Sequence, residues 1–201
     1  MRTFSRTVWA VRYLCGALAL SMALSLVGFA QQASGQQPAQ QLKEYPTTRV
    51  DSLVREWTRA RDYTGEYLNA MPENGLGFKP TPEVRSFAQQ MLHLAAANFN
   101  FASRIAGQKA PYDLANLEKV PEYNTSKASL TKVVTESYDF MISAIKGLDD
   151  AKLDQRVPVQ GMNRPVISII NAAFEHQTHH RGQTTVYLRL KGATPPGEKL
   201  F

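Results

Sequence analysis

The sequence predicts an all-α protein, a four-helix bundle preceded by a cleavable signal peptide and a short linker. Three observations predict it. Apolar residues recur at offsets of three and four along four segments of about twenty to twenty-five residues each. These segments open and close on residues that start and stop helices. No stretch alternates apolar and polar residues with a two-residue period long enough to suggest a sheet.

Residues 1–30 read as a leader rather than as part of the fold. Arg2, Arg6 and Arg12 form a basic start, and Tyr13 to Ala30 is an uncharged apolar run. Gly28-Phe29-Ala30 puts small residues where a signal peptidase reads, so cleavage is expected after Ala30. An uncleaved membrane anchor is the alternative, because the run approaches bilayer-spanning length. The polar, Gln-rich sequence that follows favours cleavage, a periplasmic or secreted protein, and no stable membrane association thereafter. Residues 31–45 read as a flexible Gln-rich linker, 46–196 as the bundle and 197–201 as a tail.

Cys15, within the leader, is the only cysteine. The mature chain therefore lacks disulfides, thiolate ligands and a cysteine nucleophile. Losing the three leader arginines lowers the formal charge from +6 to +3. No basic cluster interleaved with aromatics remains, so no nucleic-acid partner is expected.

The first helix is expected from Arg49 to Ala70, with Leu53, Trp57, Ala60 or Arg61, Thr64 and Leu68 along its inner face. Met71-Pro72-Glu73-Asn74-Gly75 ends it. The second is expected from Pro82 to Ala106, with Thr81 as N-cap, Pro82 in the first turn and Gly107 as the stop. Val84, Phe87, Met91, Leu94 or Ala95 and Asn98 follow helical spacing within it. A loop from Gln108 to Thr125 carries Pro111 and Pro121. The third helix begins near Ser126 and runs to Ile145, with Leu130, Val133 or Val134, Tyr138, Met141 and Ile145 facing inward. Val157 to Gly161 reads as a short extended turn. The fourth helix starts near Pro165 and continues through Leu190 to a Lys191-Gly192 stop.

Three of the four histidines fall in the fourth helix, at His176, His179 and His180. The four-residue spacing of His176 and His180 stacks two imidazoles on one helical face, where both can reach one divalent cation. His179 is rotated away from that face but could substitute as a ligand. Ala172 and Ala173 are small and leave room beside the rings. On the second helix His93 is flanked by Gln89, Gln90, Ala96, Ala97 and Asn100, a polar, small-residue stripe suited to a pocket between helices. A lone helical histidine is more often a solvated or hydrogen-bonded residue than a ligand, so His93 by itself decides nothing. Other chemistry finds no support. There is no HExxH, no paired carboxylate spacing and no nucleophile elbow.

The segments Phe78-Lys79-Pro80-Thr81-Pro82-Glu83-Val84-Arg85-Ser86-Phe87 and Met91-Leu92-His93-Leu94-Ala95 carry a family resemblance. So do His176-Gln177-Thr178-His179-His180-Arg181-Gly182-Gln183 and Tyr187-Leu188-Arg189-Leu190-Lys191-Gly192. Together they resemble the DinB/YfiT-like superfamily of four-helix-bundle metalloproteins, from about Val50 to Pro196. The resemblance implies a divalent metal, zinc, nickel or iron, held by His93, His176 and His180. It implies a small-molecule substrate and activation of a bound water or thiol, as in a hydrolase or a thiol transferase. Characterised relatives include transferases and isomerases that use low-molecular-weight thiols; those thiols are mainly intracellular, so an exported member departs from them. A bundle that binds metal or a small ligand without turnover is the alternative, and a homodimer through exposed helix faces stays open. Gly182 is expected to permit close helix packing, Gln183 to support a ligand imidazole, Arg181 to be structural and Tyr187 to lie in the core.

Overall fold

The computed structural model describes residues 44–159 and 161–201. The expected leader, and the linker up to residue 43, lie outside them. Five helices and one small hairpin follow in order: α1 (Arg49–Ala70), α2 (Phe87–Ala106), α3 (Pro121–Thr125), α4 (Lys127–Lys146), β1 (Arg156–Val159), β2 (Met162–Pro165) and α5 (Val166–Leu190).

The four long helices pack around one core, as their apolar periodicity requires. α2 lies against both α4 and α5, while α1 packs on α4 and more lightly on α5. Trp57, Phe87, Met91, Phe99, Leu130, Tyr138, Met141, Ile145 and Ile170 are wholly buried between them. Trp57 meets Tyr138 at 5.9 Å and Phe174 edge-on at 5.5 Å, joining α1, α4 and α5 in one aromatic contact. Truncating such a residue to alanine costs about 3–5 kcal/mol, so this contact is a main anchor of the bundle.

Local chemistry sets the helix ends. The Thr48 hydroxyl accepts from the Asp51 amide at the start of α1. The two carboxylate oxygens of Asp150 accept from the Arg49 and Val50 amides at 3.0 and 2.9 Å, tying the chain after α4 to the first turn of α1. Ser126 caps α4 through the Ser129 amide. Gly107 (φ 67°) and Gly192 (φ 74°) leave α2 and α5 in the left-handed region that favours glycine.

Three expectations are corrected and one open alternative is resolved. α2 starts at Phe87 rather than Pro82, because Ser86 and Gln89 form a reciprocal capping box. The Phe87 amide bonds the Phe78 carbonyl and the Ala88 amide the Leu76 carbonyl, so the segment from 76 to 86 folds back as turns and Val84 is exposed. On α1 the buried residue is Ala60, while Arg61 lies at the surface and pairs with Asp139 at 2.8 Å. The expected loop contains α3, which Pro121 opens from the N1/N2 position. The extended turn is an antiparallel hairpin, with Arg156 opposite Pro165 and Val159 opposite Met162, turning at Gly161 (φ 74°). No helix among the described residues is long and apolar enough to cross a membrane.

Candidate metal centre

The packing of α2 on α5 brings three histidines together. His93 of α2 faces His176 and His180 of α5, with ring centroids 5.3 Å apart for His93–His176, 4.6 Å for His93–His180 and 4.4 Å for His176–His180. One nitrogen of each ring lies within 4.8 Å of the other two. The group can hold a metal ion.

Hydrogen bonds orient two of the rings. His93 Nδ1 lies 2.8 Å from Glu118 Oε1, a carboxylate oxygen that only accepts, so Nδ1 donates and the Nε2 lone pair stays available. Glu118 sits on a short 3₁₀ turn, Leu117–Lys119, between α2 and α3. Its second oxygen accepts from Arg85 Nε at 2.8 Å. His180 Nδ1 lies 2.8 Å from Gln90 Oε1 and donates to it, which again leaves Nε2 available. The assignment follows from the next bonds outward: Gln90 Nε2 donates to the Tyr187 hydroxyl at 3.3 Å, and that hydroxyl donates to the Arg85 carbonyl at 2.8 Å. His176 differs. Its Nδ1 is buried and has no hydrogen-bond partner among the described residues.

The electrostatics keep His176 and His180 neutral. Burial pushes His180 down to about 3, helped by the neighbouring His176 and His93. Burial also pushes His176 down to about 4, with His93 and His179 adding to it. Neutral imidazole is the form that ligates a metal. For Glu118, burial acts to raise the carboxyl, but hydrogen bonds from Arg85 and His93 outweigh it and hold it below the ordinary carboxylate range. Three imidazoles, two of them oriented by fixed acceptors and the third with a buried nitrogen that has no partner, form a donor set that fits a divalent ion.

Two cavities reach this centre. One, of about 520 Å³, lies between the segment leading into α2 and the face of α5 at His180. The other, of about 430 Å³, adjoins His93 over Ala96, Ala97, Asn100 and Leu114. Glu118 lines both. The small residues of α2 thus open space beside the rings, as their spacing suggests. Ala172 and Ala173 do not: Ala173 is packed in the core, and Ala172 lines a separate groove with Phe101 and Val159.

Several residues take other roles than expected. His179 is exposed, bonds the Gln183 side chain at 2.9 Å, meets the His180 ring edge-on at 5.0 Å and lines an apolar groove with Leu53 and Trp57 of α1. Gln183 therefore hydrogen-bonds His179 rather than a ring of the triad. Gly182 is exposed, and a Cβ there would meet nothing within 4 Å, so no helix packs closely against it. Arg181 is structural: it is buried, donates to Gln177 Oε1 at 3.0 Å and stacks over Tyr63 at 4.5 Å. Tyr187 is a core residue whose hydroxyl also supports Gln90. Glu118 is the functional residue that sequence reasoning missed. Its place in a loop carries no periodic signal, and only the fold brings it to His93.

Residues 56–184 match the sequence profile of the DinB superfamily. Two proteins of Bacillus subtilis (strain 168), both described as uncharacterized, are similar to this chain. YrdA is 26% identical over 151 residues, covering 74% of this chain and 86% of YrdA. YjoA is 24% identical over 148 residues, covering 72% of this chain and 92% of YjoA. Among solved structures, a DinB-like protein from Bacillus cereus ATCC 10987 has a TM-score of 0.65 at 22% identity, over 74% of this chain and 97% of that one. The YjoA crystal structure has a TM-score of 0.58 at 20% identity, over 73% of this chain and 95% of that one. These structural likenesses concern the fold. The profile match spans most of the helical domain and includes all three converging histidines, and the chain belongs to the DinB superfamily.

Proposed function

We propose that this protein holds one divalent metal ion through His93, His176 and His180 and works as a metal-dependent hydrolase or thiol transferase on a small molecule. The observation that carries the reading is the convergence of three imidazole nitrogens from two helices at one point. A divalent ion there supplies Lewis-acid chemistry, lowering the pKa of a water or thiol toward neutrality. The protein's own groups do the rest. Glu118 and Gln90 fix the rings of His93 and His180 with their Nε2 atoms available. Burial holds His176 and His180 in the ligating form. The flanking cavities give a small molecule access from two sides. Nitrogen donors of this kind suit zinc, nickel and iron. The leader-like N-terminus supports a site of action outside the cytoplasm.

A bundle that binds metal or a small ligand without turnover is the second reading. It is favoured by the state of Glu118, whose two oxygens are committed to His93 and Arg85 and so are not free to act as a base.

Metal analysis of the mature protein after dialysis against zinc tests the proposal. One zinc per chain is expected, with stoichiometric binding lost in His176→Ala. Unchanged stoichiometric zinc in that variant removes His176 from the site, and no zinc in the parent protein ends the metal reading.

A further inference from the structure

The cavity on the His180 side has a chemical character of its own. Arg85 and Lys79 line it together with Gln89, Gln90, His180 and Gln183. Its volume, about 520 Å³, falls in the range of small-ligand sites. Arg85 is held at two points: its carbonyl accepts from Tyr187 and its Nε donates to Glu118. Among the described residues, no acceptor bonds either terminal nitrogen of its guanidinium, and none bonds Lys79. A fork anchored through Nε with its two outer nitrogens unfilled is preorganised for a planar oxyanion.

The wall is not basic on balance, since Glu83 and Glu118 also line it. Both acids are already engaged. Glu118 accepts from Arg85 and His93, while Thr81 and the local backbone hold the Glu83 carboxyl below the ordinary range. The donors of Arg85 and Lys79 remain. The bond from Tyr187 to the Arg85 backbone continues through Gln90 to His180, and Glu118 joins the Arg85 guanidinium to His93, so both ends of Arg85 connect to rings of the triad.

We infer that the small molecule acted on at this centre carries a carboxylate, received by the Arg85 guanidinium with Lys79 beside it. The inference rests on the proposed metal reading only for the reaction. The carboxylate site itself is built from residues that need no ion.

Calorimetric titration of metal-free protein with succinate, in a buffer without carboxylates, tests it. Succinate is expected to bind and its neutral counterpart succinamide is not. Arg85→Gln should weaken succinate at least about tenfold, the loss of one charge-assisted contact. Arg85→Lys, which keeps the charge without the fork, and Lys79→Gln should each weaken it less. Glu118→Gln separates direct contact from an effect relayed through the turn. The Gln amide oxygen can still accept from Arg85 Nε and hold the fork while a competing charge is removed, so succinate should bind at least as tightly. Equal binding of succinamide, no binding of succinate, unchanged binding in Arg85→Gln, or lost binding in Glu118→Gln would each overturn the inference. Zinc stoichiometry measured on the same samples separates the two proposals. A protein that binds succinate through Arg85 but takes no zinc refutes the metal reading alone, and the converse refutes this one alone.

Discussion

Glu118 Oε1 stands 2.8 Å from His93 Nδ1, although the two residues come from different elements, a 3₁₀ turn and the middle of α2. A carboxylate in that place fixes the tautomer and raises the basicity of a ligand imidazole. Glu118→Ala is therefore expected to weaken zinc binding about ten- to a hundredfold. Competition against a chromogenic chelator measures it. Unchanged affinity would mean that the carboxylate does not support a ligand.

The metal-free protein should lose stability as pH falls from about 6.5 toward 4. Free histidine titrates near 6.5, whereas burial holds folded His180 at about 3 and His176 at about 4. Within that window the unfolded chain binds protons that the folded chain refuses, so acid favours unfolding. Urea midpoints of chelator-treated protein at pH 7.5, 6 and 4.5 should decline in that order, and more shallowly in a His176→Gln/His180→Gln variant. A flat parent profile would contradict the burial of these rings.

Gly182→Ala should stabilise the protein by about 0.5–1 kcal/mol, because a glycine inside a helix costs roughly that much relative to alanine. The position is exposed and has room for the methyl group. Thermal melts should shift upward by a few degrees. A downward shift would show that a partner surface packs there.

Tyr138→Phe should destabilise the fold by about 1–3 kcal/mol and leave zinc binding unchanged. The hydroxyl is buried between Thr64 Oγ1 at 2.7 Å and Gln177 Oε1 at 2.9 Å, a network that joins α1, α4 and α5 away from the triad. Burial pushes this phenol up to about 12, so it stays protonated and available to donate. Denaturant unfolding and metal analysis of one preparation give both readouts. A loss of zinc would show that the two networks communicate.

The long helices were legible because burying one face of a helix imposes a period on the chain, and Trp57, Met91, Tyr138 and Ile145 keep it. The start of α2 was misplaced because two N-terminal signals compete there. Thr81-Pro82-Glu83 fits the general pattern, but Ser86 and Gln89 satisfy each other's backbone amides and prevail. The His176–His180 pair could be read from its spacing, since both rings belong to one helix. Its supports could not be read in the same way. Glu118 and Arg85 reach the centre from turns, and a turn leaves no repeat by which to infer where it lands. Gln183 looked like a support because it is one turn past its neighbours, but its bond goes to His179 instead.

Two of the three rings belong to α5, the last helix of the chain, and the third to α2, the second long one. No grip on an ion exists until the C-terminal helix has docked, so a partly synthesised or truncated chain has nothing with which to retain one. On the proposed metal reading, an ion would be taken up only where folding finishes, and a chain ferried across a membrane unfolded would arrive empty and draw on whatever metals its destination supplies.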